Sequence, residues 1–134
     1  MHSNQFDGEI PSSMGNATGL HFVDLSSNQL SGSIPIDFYQ SNLERVYLNN
    51  NQLTGSISPD VGNLSNVVAL WLQHNQLSGV IPLELKISSL LSLLLYDNKF
   101  ESSVPERVCR LVSRGSLVEL EADCSICTCC TVCH

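Results

Sequence analysis

Five of the six cysteines lie within the last eleven residues, as Cys124, Cys127, Cys129, Cys130 and Cys133, followed by His134, while Cys109 stands alone upstream. Two chemistries compete for these thiols. Cys124, Cys127, Cys130 and Cys133, with His134 beside them, offer sulfur ligands at the two-residue spacing that zinc sites use. Both pairs sit on one short stretch, however, with almost no intervening chain to wrap an ion. An even number of cysteines gathered at one end of a chain instead fits disulfides in an oxidising compartment. The preferred bridge joins Cys109 to Cys124, closing a loop of about 15 residues with a contribution on the order of 3 kcal/mol.

Other residue types supply no catalytic pattern. His2, His21, His74 and His134 fall in no H-E-x-x-H pairing, and there is neither a G-x-S-x-G elbow nor a glycine loop that could cradle phosphate. Glu119, Glu121 and Asp123 alternate along one stretch and read as a solvated strand face. The chain is therefore read as a non-enzyme with no metal and no cofactor. Six Lys plus Arg against thirteen Asp plus Glu give a net charge of −7, which opposes nucleic-acid phosphate.

What would position any functional residue is a repeat. Copies begin at Asn4 (NQFDGEIP), Asn28 (NQLSGSIP), Asn51 (NQLTGSIS), Asn75 (NQLSGVIP) and Asn98 (NKFESSVP), at gaps of 24, 23, 24 and 23 residues. The cleanest copy, Val67 to Pro82, places apolar residues at Val67, Leu70, Leu72, Leu77 and Ile81 around the Asn, Gly and Pro markers. This pattern resembles the leucine-rich-repeat family, and the G-x-I-P continuation resembles its plant-type subclass, over residues 1 to about 123. The cysteine-rich ending is similar to that of algal members. The resemblance implies an α/β solenoid: a right-handed superhelix with a short-strand parallel sheet on its concave face and 3₁₀ or irregular convex segments.

Each repeat position has a physical role. Leu70 and Leu72 alternate with Trp71 and Gln73, so one pair faces inward and the other outward on a short strand. Asn28, Asn51, Asn75 and Asn98 are expected to form a ladder whose amides satisfy backbone groups left unpaired where the chain bends. Gly32, Gly55 and Gly79 mark tight turns. Pro35 and Pro82 deny the convex side a regular strand. In the second repeat Ser58 replaces proline and Pro59 follows, which is expected to shift the turn slightly.

The expected organisation is an incomplete repeat over 1–19, four repeats over 20–116, and a cap with its cysteine-rich tail over 117–134. The N-terminus joins the pattern in mid-repeat and reads as cut from a longer chain, leaving Phe6 and Ile10 with little above them. The apolar run 83–96 is interrupted by Glu84, Lys86 and three serines, too short and too polar to span a bilayer. The repeat frame explains it through inward Leu85, Leu90, Leu93 and Leu95, so no membrane contact is expected from this segment. Leu117, Leu120 and Ala122 are expected to form one last strand.

Outward strand positions fall into columns: Phe22, Arg45, Ala69 and Ser92; Asp24, Tyr47, Trp71 and Leu94; Ser26, Asn49, Gln73 and Tyr96; Ser27, Asn50, His74 and Asp97. At about 4.8 Å per strand, four coils give a face of about 15 to 20 Å, suited to a short extended peptide or the edge of a protein. Arg45, Tyr47, Trp71, Gln73, His74 and Tyr96 are the candidate contacts, since aromatic residues and Arg dominate binding hot spots. The resemblance implies an extracellular or cell-surface recognition module within a longer receptor-like or secreted chain, binding a peptide or protein, with polysaccharide as a further candidate. Its alternatives are a structural or adhesive solenoid contacting polysaccharide or ice, a metal-binding tail on a passive scaffold, and a cytoplasmic location. Asn16 and Asn63 head N-x-S/T glycosylation acceptors.

Overall fold

The computed structural model describes residues 4–134, so Met1, His2 and Ser3 lie outside it. In chain order the elements are β1 (Asp7–Glu9), β2 (Phe22–Asp24), β3 (Gln29–Ser31), β4 (Arg45–Tyr47), β5 (Ala69–Trp71), β6 (Ser78–Gly79), β7 (Ser92–Leu94), β8 (Lys99–Phe100), α1 (Glu106–Ser113), β9 (Glu119–Ala122) and β10 (Val132–Cys133). Single 3₁₀ turns cover Ser12–Asn16, Ile36–Gln40, Pro59–Asn63 and Leu83–Leu85. The main sheet is parallel throughout, in the order β2-β4-β5-β7-β9-β10. Because a parallel step needs a return crossover, each coil supplies one strand and the 3₁₀ turn brings the chain back. The chain is a solenoid of parallel-strand coils.

The core is a single column of side chains inside the coils. Val46, Leu70, Leu93 and Leu120 occupy matching register positions, and all are buried, as are Leu85, Leu90 and Leu95 from the apolar run. Among the described residues no helix is long and apolar enough to cross a membrane.

Each asparagine joins two coils. Asn75 Nδ2 donates to the Leu72 carbonyl of its own coil at 3.1 Å and to the Leu48 carbonyl of the preceding one at 3.0 Å, and its Oδ1 accepts from the Leu53 N–H at 3.0 Å. Asn51 and Asn98 repeat the arrangement, and Asn28 accepts from the Phe6 N–H at 3.1 Å. The residue before each asparagine is left-handed, with φ of 57° at Ser27, Asn50 and His74 and 53° at Asp97. Gly32, Gly55 and Gly79 have φ of 72°, 76° and 73°, a region that a residue without Cβ enters freely.

Several expectations change. Ser58 does not shift its turn: its φ of −65° and ψ of 145° match those of Pro35 at −67° and 144°. Its hydroxyl accepts from the Asp60 N–H at 3.2 Å, so serine caps the turn that Pro59 opens. Ile10 is buried against the next coil, and only Phe6 is left exposed. The stretch after each asparagine forms a second short parallel ladder, β1 with β3 and β6 with β8, bridged by Ser56 and Ser78. The prolines end this ladder instead of preventing it.

The sequence pattern also missed α1. Pro105 precedes its first turn in extended conformation, and Glu106 there complements the helix dipole. At its end Gly115 (φ 73°) donates to Val112 and Ser116 donates to Leu111, both at 2.9 Å. Those two bonds are the Schellman closure of a helix end. Beyond β9 the tail does not leave the sheet: Val132 and Cys133 pair with Glu121 and Ala122 as a further strand.

The cap pairing differs from expectation. Cys109 bonds Cys129, Cys124 bonds Cys133 and Cys127 bonds Cys130. Because β10 returns beside β9, Cys133 is brought to Cys124, and α1 faces the tail at Cys129. All six cysteines are paired in this way.

Candidate functional site

The concave face is built by strand register. Phe22, Arg45, Ala69, Ser92 and Glu119 form one row across the sheet, and Asp24, Tyr47, Trp71, Leu94 and Glu121 form another. Six strands at about 4.8 Å make the face about 24 Å long, wider than the four coils alone imply.

Aromatic residues gather in two groups. Phe22 meets Tyr47 edge-on at 5.4 Å, and Tyr47 stacks on Trp71 with ring centres 4.2 Å apart. Trp71 Nε1 donates to Ser92 Oγ at 2.8 Å, and the Ser92 hydroxyl donates in turn to Glu119. The indole is thereby held at both ends, by a ring and by a hydrogen-bonded chain. Such aromatic pairs contribute about 0.5 to 1.5 kcal/mol beyond the area they bury.

The second group lies toward the cap. His74 Nδ1 is 2.6 Å from Asp97 Oδ2, and its ring meets Tyr96 edge-on at 5.1 Å. Tyr96 stacks on His134 at 3.8 Å, and His134 Nε2 is 2.7 Å from Glu121 Oε2. The tail thus delivers its last residue onto the concave face. Asp123 Oδ1 accepts from the Asp97 N–H at 2.9 Å, so the acidic trio is engaged in structure and is not merely solvated.

Charge on this face is uneven. Arg45 is its single cation, exposed and without a carboxylate within 4.0 Å among the described residues. Asp24, Glu119 and Glu121 occupy the two register rows, and Asp97 and Asp123 flank the second aromatic group.

Of the sequence-derived contacts, the fold brings Arg45, Tyr47 and Trp71 together on adjacent strands, and His74 and Tyr96 together at the following bend. Gln73 is corrected. It is only 6% exposed, and its Oε1 has no hydrogen-bond partner among the described residues. Ala69 and Leu94 in the outward columns are likewise buried. Phe22 and His134 complete the aromatic groups and were not among the expected contacts. Phe22 was legible from its column, whereas His134 lies outside the repeat period and carries no positional signal. Asn16 and Asn63 are exposed at the ends of convex 3₁₀ turns, away from the concave rows.

The Leucine Rich Repeat profile matches residues 19–41, 42–64 and 66–86. No curated protein sequence matches the chain. Among solved structures, the plant peptide hormone receptor RGFR1 in complex with RGF2 is 36% identical, with a TM-score of 0.80 over 89% of this chain and 19% of that one. The ectodomain of the Arabidopsis thaliana receptor kinase GASSHO1/SCHENGEN3, in complex with CASPARIAN STRIP INTEGRITY FACTOR 2, is 36% identical at a TM-score of 0.75, over 89% of this chain and 14% of that one. A plant ice-binding protein is 30% identical at a TM-score of 0.73, over 79% of this chain and 34% of that one. The chain therefore spans a fifth or less of the receptor ectodomains and about a third of the ice-binding protein. With its Asn ladder, its G-x-I-P turns and these matches, the chain belongs to the leucine-rich-repeat family in its plant-type form.

Proposed function

We propose that the chain is a non-catalytic recognition module that binds an extended peptide, or the edge of a protein, on its concave face. The observation that carries this reading is the Phe22–Tyr47–Trp71 aromatic cluster, anchored through Ser92 to Glu119, with the His74–Tyr96–His134 group on the same face. Held aromatic groups bind at low entropic cost, because their rotamers are fixed before the partner arrives. The carboxylates around a single Arg45 favour a partner segment with apolar or aromatic groups and a basic end. The similar receptors complexed with RGF2 and CASPARIAN STRIP INTEGRITY FACTOR 2 support the reading. Three disulfides fit an extracellular or cell-surface location.

The test is a random extended-peptide library selected on the disulfide-intact chain, followed by titration of the selected peptides. Trp71→Ala is expected to weaken binding tenfold or more, with far-UV circular dichroism unchanged. Selected peptides that bind Trp71→Ala within twofold of the parent sink the proposal.

A second reading rests on the flank. Ser31, Thr54 and Ser78 recur at the same repeat position along the second ladder, and a plant ice-binding protein is similar in fold. An adhesive or ice-contacting role would show as inhibition of ice recrystallisation that survives Trp71→Ala.

A further inference from the structure

The chain is acidic, yet its cations are not dispersed. Four of its six Lys and Arg residues, Lys86, Arg107, Arg110 and Arg114, line one convex cleft of about 310 Å³ together with Leu111. Arg107, Arg110 and Arg114 recur at spacings of three and four residues over α1 and its C-cap, which places them on one helix face about 10 Å long. Arg110 is paired with Glu106 at 2.8 Å. The other three are exposed, with no carboxylate within 4.0 Å among the described residues. The cleft thus holds four positive charges against one carboxylate, while the remaining two cations face twelve carboxylates over the rest of the chain. Gathering like charges is unfavourable unless an anion joins them, and arginine forks suit the paired oxygens of carboxylate and sulfate.

The adjoining surface narrows the ligand. Lys86 also lines a second cleft of about 430 Å³, whose other walls include Asn63, Ser65, Ser88 and Glu84. A cationic end therefore runs into a surface of hydroxyl and amide groups interrupted by the Glu84 carboxylate. Acidic groups beside many hydroxyls are the chemistry of a charged sugar chain. We propose that this convex surface binds an anionic saccharide, its carboxylate or sulfate groups on Lys86, Arg107 and Arg114 and its hydroxyls along the Asn63–Ser88 side. The acidic concave face lies across the solenoid, and at physiological salt its field is largely screened beyond about 8 Å.

The proposal is independent of the concave site and is tested separately. A glycan on Asn63 would enter the same surface, so Asn63→Gln serves as the parent chain. Its binding to oligogalacturonate, dextran sulfate, neutral dextran and poly-glutamate is titrated at low and physiological salt. Binding to one or both anionic sugars, weakened tenfold or more in Arg107→Gln/Arg114→Gln and less than twofold in Lys99→Gln, is expected, and the preferred sugar identifies carboxylate or sulfate. Lys86→Gln, on an exposed turn, is the second variant should the double substitution unfold. Failure to bind either sugar at low salt, an equal loss in Lys99→Gln, or poly-glutamate binding as tightly as the sugars overturns it.

Discussion

The coils and the cap contribute to one sheet but are joined by different means. Between coils the connection is periodic and non-covalent: each asparagine amide bonds its own coil and the one before, and each leucine lies against its equivalent about 4.8 Å away. At the cap the period stops, and α1, β9 and β10 are tied by Cys109–Cys129, Cys124–Cys133 and Cys127–Cys130. Interior coils have neighbours on both sides and need no crosslink. The cap lies outside the period and has no asparagine ladder to hold it, and covalent bonds join its parts instead.

The largest break in this comparison is Asn75→Ala. It leaves the Leu53 N–H without its acceptor inside a buried bend and takes one of two asparagine donors from each of the Leu48 and Leu72 carbonyls, which keep Asn51 and Asn98, and is expected to destabilise by about 3 kcal/mol. Asn28→Ala, at a partly exposed rung, should cost about half as much. Urea unfolding of both variants checks this, and equal losses would mean that interior and outer rungs are solvated alike.

Replacing Cys109 and Cys129 together by serine opens a 20-residue loop and should remove about 3 kcal/mol. Amide hydrogen exchange should show protection falling in α1, β9 and β10 while β4 and β5 keep theirs. Equal loss in β4 and β5 would show coils and cap to be one cooperative unit.

The smallest effect isolates the coils by pH. Burial pushes the Tyr39 phenol up to about 12, with the Asp60 carboxylate adding to the shift, while the Ser58 backbone opposes it without closing a well-formed hydrogen bond. The folded state therefore favours the neutral phenol. This contribution is fully present below about pH 10 and is lost as pH rises toward about 12, amounting to about 2 kcal/mol. Tyr39→Phe should match the parent at neutral pH and unfold less readily in urea at about pH 11.5. Parallel pH curves for the two proteins would remove Tyr39 from the account.

Legibility followed periodicity. Leu70, Leu93 and Asn75 could be placed from spacing alone, because a fixed period forces equivalent residues into equivalent surroundings. Gly32, Gly55 and Gly79 were legible for the same reason, since each copy must make the same turn. Cys129 was not assigned to Cys109, because pairing depends on where α1 and the tail pack, and neither repeats. His134 reached Tyr96 through the same unrepeated fold, and Gln73 was lost as a contact because burial at a column depends on its neighbours' side chains. Ser58 took the proline conformation through its own cap, a substitution that a proline-centred pattern reads as a shift.

The sequence by itself determined the solenoid, its inward leucines, its asparagine ladder and the columns of the concave face, because these rest on local periodicity and hydrogen-bonding capacity. Only the tertiary structure decided the disulfide pairing, the two aromatic groups with their Ser92–Glu119 anchor, and the convex basic cleft. Each joins residues from separate coils or from the cap, and its geometry comes from how those parts pack.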